Sequence, residues 1–78
     1  MKTVFVVTTF WRDSRKRGVQ PGASHHPKDE PSALALGKEL ARRAGGVVVV
    51  KVTGEPSVDY WEDPIVLARY GDVPAEAA

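Results

Sequence analysis

The sequence predicts a small α/β domain of the α+β type, with one main helix packed on one face of a sheet of three or four strands. Two runs of β-branched and aromatic residues, 3–11 and 47–53, have the composition of strands. Between them, apolar residues recur at helical spacing over residues 33–44. These observations predict the order strand, weak strand, helix, strand, strand, within a single domain at residues 1–74 that is followed by a frayed tail at 75–78.

The first strand is apolar on both of its faces. Side chains alternate along a strand, so one face carries Val4, Val6, Thr8 and Phe10, and the other carries Phe5, Val7, Thr9 and Trp11. The four valines of residues 47–50 indicate the same two-sided burial in the second strand. Because one helix covers one face, we expect a short C-terminal helix or a second subunit on the other. The alternative is that Trp11, Tyr60 and Trp61 complete the core alone.

The segment before the helix, residues 12–29, is charged at first and then rich in proline, glycine and histidine. A weak strand fits residues 19–25, but the prolines in and after it, Pro21 and Pro27, would confine it to an edge of the sheet, because proline has no N–H to donate. Asp29 or Glu30 then precedes Pro31, which is the pattern of a helix start.

Glycines mark two positions of the predicted helix. Gly37 lies in the middle of the apolar stripe, where it costs about 1 kcal/mol of helix propensity. We interpret it as a point where the helix backbone approaches the sheet. Gly45 and Gly46 follow the last apolar residue, and we expect them to stop the helix in a left-handed conformation.

The C-terminal third contains one ambiguous segment. The composition of residues 54–57 predicts a turn, and that of residues 58–62 predicts an antiparallel hairpin arm. Residues 64–70 have the composition of a strand, but Pro64 and Gly71 also frame a helix of two turns. Because the hairpin arm is expected to occupy the edge of the preceding strand, we favour the short helix.

The net charge is only +1, but the charges are unevenly distributed. Residues 12–28 contain five basic side chains and one acidic, whereas residues 55–78 contain six acidic and one basic. The basic segment places phosphate-neutralising charges beside a ring that can stack on an unpaired base; its residues are Trp11, Arg12, Arg15, Lys16 and Arg17. No nucleic-acid-binding motif accompanies them, so the alternative is a solvated loop that docks on the acidic C-terminal half.

One cluster has the residue types of a metal site, namely His25 and His26 with Asp29 three residues later. Imidazole and carboxylate suit zinc or another divalent ion. However, adjacent histidines on an extended chain point to opposite sides, and a catalytic zinc normally has three protein ligands. We therefore favour a solvated polar loop and expect no metal, cofactor or catalytic residue. The sequence contains no nucleophile elbow, phosphate-binding loop or dinucleotide fingerprint.

The chain contains no cysteine, which fits a reducing cytoplasm. No apolar run approaches the roughly 20 residues that cross a bilayer. We expect a cytoplasmic protein without a membrane contact.

Several C-terminal motifs follow a pattern of helix stop, strand, turn and a Pro-to-Gly bracket. They are Arg43-Ala44-Gly45-Gly46-Val47-Val48-Val49, Gly54-Glu55-Pro56, Asp59-Tyr60 and the run from Pro64-Ile65-Val66 to Asp72-Val73-Pro74. In this half the chain resembles a group of short uncharacterised bacterial proteins of the βαββ type. The resemblance implies a structural role for these residues and carries over no catalytic one.

The function that these features favour is a non-enzymatic interaction module that self-associates as a homodimer. The first alternative is a nucleic-acid-binding accessory protein that uses residues 12–17. The second is a small metal-binding or enzymatic protein that uses the loop containing His25 and His26.

Overall fold

The computed structural model describes residues 1–12 and 19–73, which form one α-helix, a short 3-10 helix at Pro56–Val58 and an antiparallel sheet of five strands. In chain order the elements are β1 (Lys2–Arg12), β2 (Val19–His25), α1 (Glu30–Leu40), β3 (Gly46–Glu55), β4 (Tyr60–Trp61) and β5 (Ile65–Gly71). The α+β class is confirmed. The prediction of three or four strands was too low.

The sheet is built around β1 and β3. These two strands pair antiparallel from Lys2 opposite Gly54 to Phe10 opposite Gly46, and β2 lies on the far side of β1. Both β4 and β5 pair with the other edge of β3, at different points along it. A central pair with neighbours on both sides explains why the run of valines in β3 is buried.

The short helix expected after Pro64 does not form, because this segment is strand β5. The predicted hairpin arm contributes only the two residues of β4, which pair with Gly54 and Glu55. On that edge, the first half of β3 is left without a neighbouring strand. Strand β5 pairs there, with Tyr70 opposite Val47. Backbone hydrogen bonding along this free edge outweighs the local helix signals of the sequence.

The weak strand predicted at residues 19–25 is confirmed as β2, and it lies at an edge of the sheet as expected. The register between β1 and β2 shifts between Thr8 and Phe10. At this irregularity the Thr9 hydroxyl donates to the Ala23 carbonyl oxygen over 3.1 Å. The side chain thereby supplies a hydrogen bond where the ladder is irregular.

Helix α1 begins as the sequence predicts and ends differently. Asp29 is the N-cap, and its Oδ1 accepts a hydrogen bond of 2.9 Å from the Ser32 backbone N–H. The left-handed stop expected at Gly45 and Gly46 was wrong, because Gly71 is the glycine with positive φ in the described residues. Instead the helix ends through hydrogen-bonded turns, such as that from the Arg43 N–H to the Leu40 carbonyl.

The glycines after the helix serve a close approach of two backbones. A Cβ atom on Gly46 would collide with the backbone carbonyl of Asp72. The Asp72 N–H donates to the Gly45 carbonyl oxygen over 2.9 Å, and Gly71 adopts a φ of 69° beside it. Small residues are therefore needed where the start of β3 meets the end of β5.

The core lies between α1 and the covered face of the sheet. Its fully buried residues are Val7, Ala33, Val47 and Val49. Partly buried apolar side chains pack around them, namely Phe5, Leu34, Leu36, Leu40, Ala41, Ala44, Leu67, Ala68 and Tyr70. The predicted close approach at Gly37 is confirmed, because this buried residue lies directly on Val49.

Candidate interaction surfaces

The sheet face opposite α1 has no layer of secondary structure over it in the described residues. We call it the open face; its partly exposed apolar side chains are Val4, Val6, Val50, Val52 and Val66. Two further apolar residues of this face, Val48 and Phe10, are only 2% and 6% exposed. The two-sided apolar pattern of the sequence is thus real, and one of its two sides is still partly exposed to solvent.

Trp61 lies at one end of the open face. It pairs with Gly54, and its indole ring covers that glycine, since a Cβ atom there would stand 2.6 Å from the ring Cδ2 atom. The side chain remains 43% exposed. An aromatic ring held against a backbone is a preformed contact surface.

Four carboxylates lie near Trp61 in sequence or on the paired strand, and we call this region the acidic end; its residues are Glu55, Asp59, Glu62 and Asp63. The amino group of Met1 donates to the Glu55 Oε2 atom over 3.0 Å. This contact, together with hydrogen bonds from Ser57, lowers the pKa of Glu55 below its ordinary value. The remaining acidic side chains are exposed and make no ion pair in the described part of the chain.

Arginines gather at the opposite end of β1, and we call this region the basic end; its residues are Arg12, Arg42 and Arg43. Arg12 forms an ion pair of 3.0 Å with Asp72, and both side chains are largely exposed. The Asp72 backbone also bonds to Gly45, two residues after Arg43. The turn after α1 therefore brings its arginines to the end of β1.

The two ends are separated by the length of β1. Eleven residues of strand span about 33 Å. One alternative predicted from the sequence was that the basic segment docks on the acidic C-terminal half. Of that segment, Arg12 contacts this half through Asp72. The acidic end itself lies too far away, so its charges and those of the basic end remain apart within one chain.

Trp11 is the aromatic residue of the basic end. Its ring lies over Gly22 of the neighbouring strand, because a Cβ atom at Gly22 would stand 2.6 Å from the indole nitrogen. The side chain is 47% exposed. It alternates with Arg12 along β1 and so lies on the same side of the sheet as α1.

The other predicted site residues are not assembled into one site. Arg15, Lys16 and Arg17 lie outside the described residues. His25 is the last residue of β2 and is half-buried, whereas His26 follows the strand and is exposed. Within residues 1–12 and 19–73, no group of three potential metal-ligating side chains comes together.

The third member of that cluster, Asp29, is engaged in capping α1. Hydrogen bonds from Ser32, first from its side chain and then from its backbone N–H, lower the pKa of Asp29 below its ordinary value. The carboxylate therefore has a structural role at the start of the helix.

Sequence reasoning missed Arg42 and Arg43 as members of the basic end. The available signal was their position in the connection between α1 and the strand that pairs with β1. The antiparallel pairing of Phe10 with Gly46 fixes which end of the sheet that connection reaches.

Comparison with known proteins gives no relative, since no family model, curated protein or solved structure matches this chain. The resemblance of the C-terminal half to short bacterial proteins stays a prediction. In the described part of the chain, no helix has the length and apolar character needed to cross a membrane.

Proposed function

We propose that the protein is a self-associating interaction module that forms a two-fold dimer through its open face. The observation that carries this proposal is the set of valines on the uncovered side of the two central strands. Val4, Val6, Val50 and Val52 are only partly removed from water within one chain, whereas Val48 is already buried. Burying apolar surface stabilises by about 25 cal/mol per Å², so an apolar surface above the open face would lower the free energy.

The thin shape of the chain supports the packing of a second copy on the open face. The Cα atoms extend over 42 × 24 × 16 Å, and their radius of gyration is 13.1 Å. A compact domain of this length has a radius of gyration of about 11.5 Å. The chain is therefore broad and thin, with one helix on one sheet. Two such chains packed by their open faces form a sandwich of sheets between outer helices, with the sheets about 10 Å apart.

Charge favours a second copy of this chain as the occupant. A two-fold axis that lies in the interface and runs across the strands makes the strands of the two copies antiparallel. It then places Arg12 and Arg69, which alternate onto the open-face side of β1 and β5, towards the acidic end of the other copy. With the axis along the strands, like charges would meet. The complementary charges on one chain therefore select both the partner and its orientation.

The experiment compares the molar mass of three proteins by size-exclusion chromatography with light scattering. The wild type is expected at twice the chain mass of 8.5 kDa at micromolar concentration. Val50→Lys places a charge in the open face and is expected to shift the mass to that of one chain. Ala35→Lys, at an exposed position of α1 on the other side of the sheet, is the matched control and should keep the dimer.

Circular dichroism of each variant reports whether the fold is retained. If Val50→Lys does not fold, the milder Val6→Thr substitution should weaken the dimer and raise its dissociation constant. The charge argument also predicts weaker association at high salt, because ion pairs at the rim are screened. A wild-type mass of one chain under all these conditions overturns the proposal.

A further inference from the structure

We propose a second function that is independent of self-association, namely binding of single-stranded nucleic acid at the basic end. The contact residues are Trp11, Arg42 and Arg43, all on the side of the sheet that carries α1. The open face lies on the opposite side, so a dimer formed through that face leaves this site accessible. Two arginines supply charge for phosphates and the indole ring supplies a stacking surface for a base.

The position of Trp11 is fixed by its neighbour on β2. Gly22 has no side chain, so the ring lies across the strand, with the indole nitrogen and Cδ1 close to the glycine. One part of the ring thus covers the backbone, and 47% of the side chain remains exposed. A ring already held in one position loses little conformational entropy when a base stacks on it.

The turn that follows α1 and carries the two arginines runs close to the backbone of Trp11. A Cβ atom on Gly45 would stand 3.9 Å from the Trp11 Cα atom. Since Arg43 is two residues before Gly45, its Cα atom lies at most about 13 Å from that of Trp11. Arg42 and Arg43 are both exposed and make no ion pair in the described residues.

The local charge favours an anionic ligand. Among the described acidic residues, Asp72 is hydrogen-bonded to Gly45 in the turn after α1. Its carboxylate is already engaged by Arg12. The nearest carboxylate along the helix is Glu39, in its last turn. The molecule also contains an internal comparison: Trp61 lies over Gly54 in a similar way but belongs to the acidic end, so it should repel a polyanion.

An unpaired strand fits this site better than a duplex does. An aromatic ring stacks on a base only where the base has no neighbour on that face. The ligand class is therefore single-stranded DNA or RNA, bound through phosphates and stacking with little sequence preference.

The first experiment measures binding of fluorescein-labelled dT12 by anisotropy at low salt. The double variant Arg42→Gln/Arg43→Gln is expected to weaken binding at least tenfold. It should also reduce the slope of log K against log salt by about 1.4, since each lost phosphate contact on a single strand is worth about 0.7. Lys2→Gln/Lys28→Gln removes the same charge from exposed positions away from the basic end and is the matched control.

The second experiment uses tryptophan fluorescence to locate the contact. In Trp61→Phe the remaining tryptophan is Trp11, and dT12 is expected to quench its emission. In Trp11→Phe the remaining tryptophan is Trp61, and its emission should stay constant. Heparin is the comparison polyanion, because it has charge but no bases and should compete for the arginines without quenching Trp11.

Each outcome decides for or against the proposal. No dT12 binding by the wild type at low salt overturns it, as does equal loss of binding in the arginine variant and the lysine control. Quenching confined to Trp61 also overturns it. Quenching of Trp11 by heparin would show that the change in emission does not require a base, and it would overturn the claim that a base stacks on Trp11. If the glutamine variant does not fold, Arg42→Lys/Arg43→Lys, which keeps the charge, should retain binding. These readouts do not depend on the mass of the protein, so they stand apart from the test of the dimer.

Discussion

The backbone of Gly37 lies against the side chain of Val49, so closely that a Cβ atom on the glycine would stand 2.5 Å from the valine Cγ2 atom. A hydrogen is the largest group that fits there. This contact limits how closely the helix and the sheet approach each other, because it joins the second half of α1 to the central strand β3. The core valines are buried as a result of that short distance.

Gly37→Ala is expected to destabilise the protein by about 1–2 kcal/mol. Overpacking a core costs about 1–3 kcal/mol, and the gain of about 1 kcal/mol in helix propensity offsets only part of it. Urea unfolding monitored by circular dichroism measures the change. Ala35→Gly, at an exposed position of the same helix, calibrates the propensity term. A stabilised Gly37→Ala protein would show that the helix does not sit this close to the sheet.

Gly71→Ala is expected to destabilise the protein by at least about 2 kcal/mol. A left-handed conformation costs an L-residue about 1–2 kcal/mol, and the added Cβ would also collide with the Gly45 carbonyl oxygen. Gly45→Ala is the comparison, because its Cβ would lie 3.3 Å from the nearest atom, the Phe10 carbonyl oxygen. The melting temperature of Gly71→Ala should lie well below that of Gly45→Ala. Equal losses of stability would contradict the close approach of the backbones where the start of β3 meets the end of β5.

Asp29→Ala is expected to lower the urea midpoint and to fray the start of α1. The substitution leaves the Ser32 N–H without its acceptor at the helix N-terminus. Asp29→Ser keeps a side-chain oxygen at the cap and should retain most of the stability. Helicity from circular dichroism, measured beside the unfolding curve, separates a capping effect from a general one. Identical behaviour of the two variants would show that the cap has no energetic role.

Stability should fall at acid pH through Asp29 and Glu55. Both have a folded pKa below the ordinary values of 3.8 and 4.5. A carboxylate with a depressed folded pKa contributes stability that is fully present above its unfolded pKa and is lost as the pH falls through the folded value. Urea midpoints should therefore drop below about pH 4.5 in the wild type. The Asp29→Asn/Glu55→Gln variant should show a shallower drop, and an unchanged slope would contradict this origin.

Much of the fold could be predicted from local sequence signals. The alternation of β1, the valine run of β3, the capping pattern at Asp29 and the glycine in the apolar stripe each depend on neighbouring residues. Each of these features is confirmed. The edge position of β2 also followed from a local fact, the missing N–H of its proline.

The segment 65–71 could not be predicted in this way. Its conformation depends on how much of the β3 edge the preceding hairpin arm occupies, which is a property of the sheet and not of the segment. Because β4 pairs with two residues, the rest of that edge was free. The helix end was mispredicted for a similar reason, since Gly45 and Gly46 are required by contact with Asp72, a residue distant in sequence.

The interaction surfaces were predicted in part. The sequence indicated that two faces of the sheet are apolar and that one helix covers one of them. It did not place Arg42 and Arg43 beside Trp11, because that requires the register of β1 against β3. The sequence offered only weak support for a metal site at His25, His26 and Asp29. In the structure, one carboxylate oxygen of Asp29 is engaged in capping α1.

The central claim is that a second copy of this chain covers the open face. Sedimentation equilibrium of the wild type over a range of micromolar concentrations tests it most directly. We predict a mass that rises with concentration from the 8.5 kDa of one chain to twice that value, and that falls again as salt is added. A mass that stays at one chain across the whole range would contradict the account.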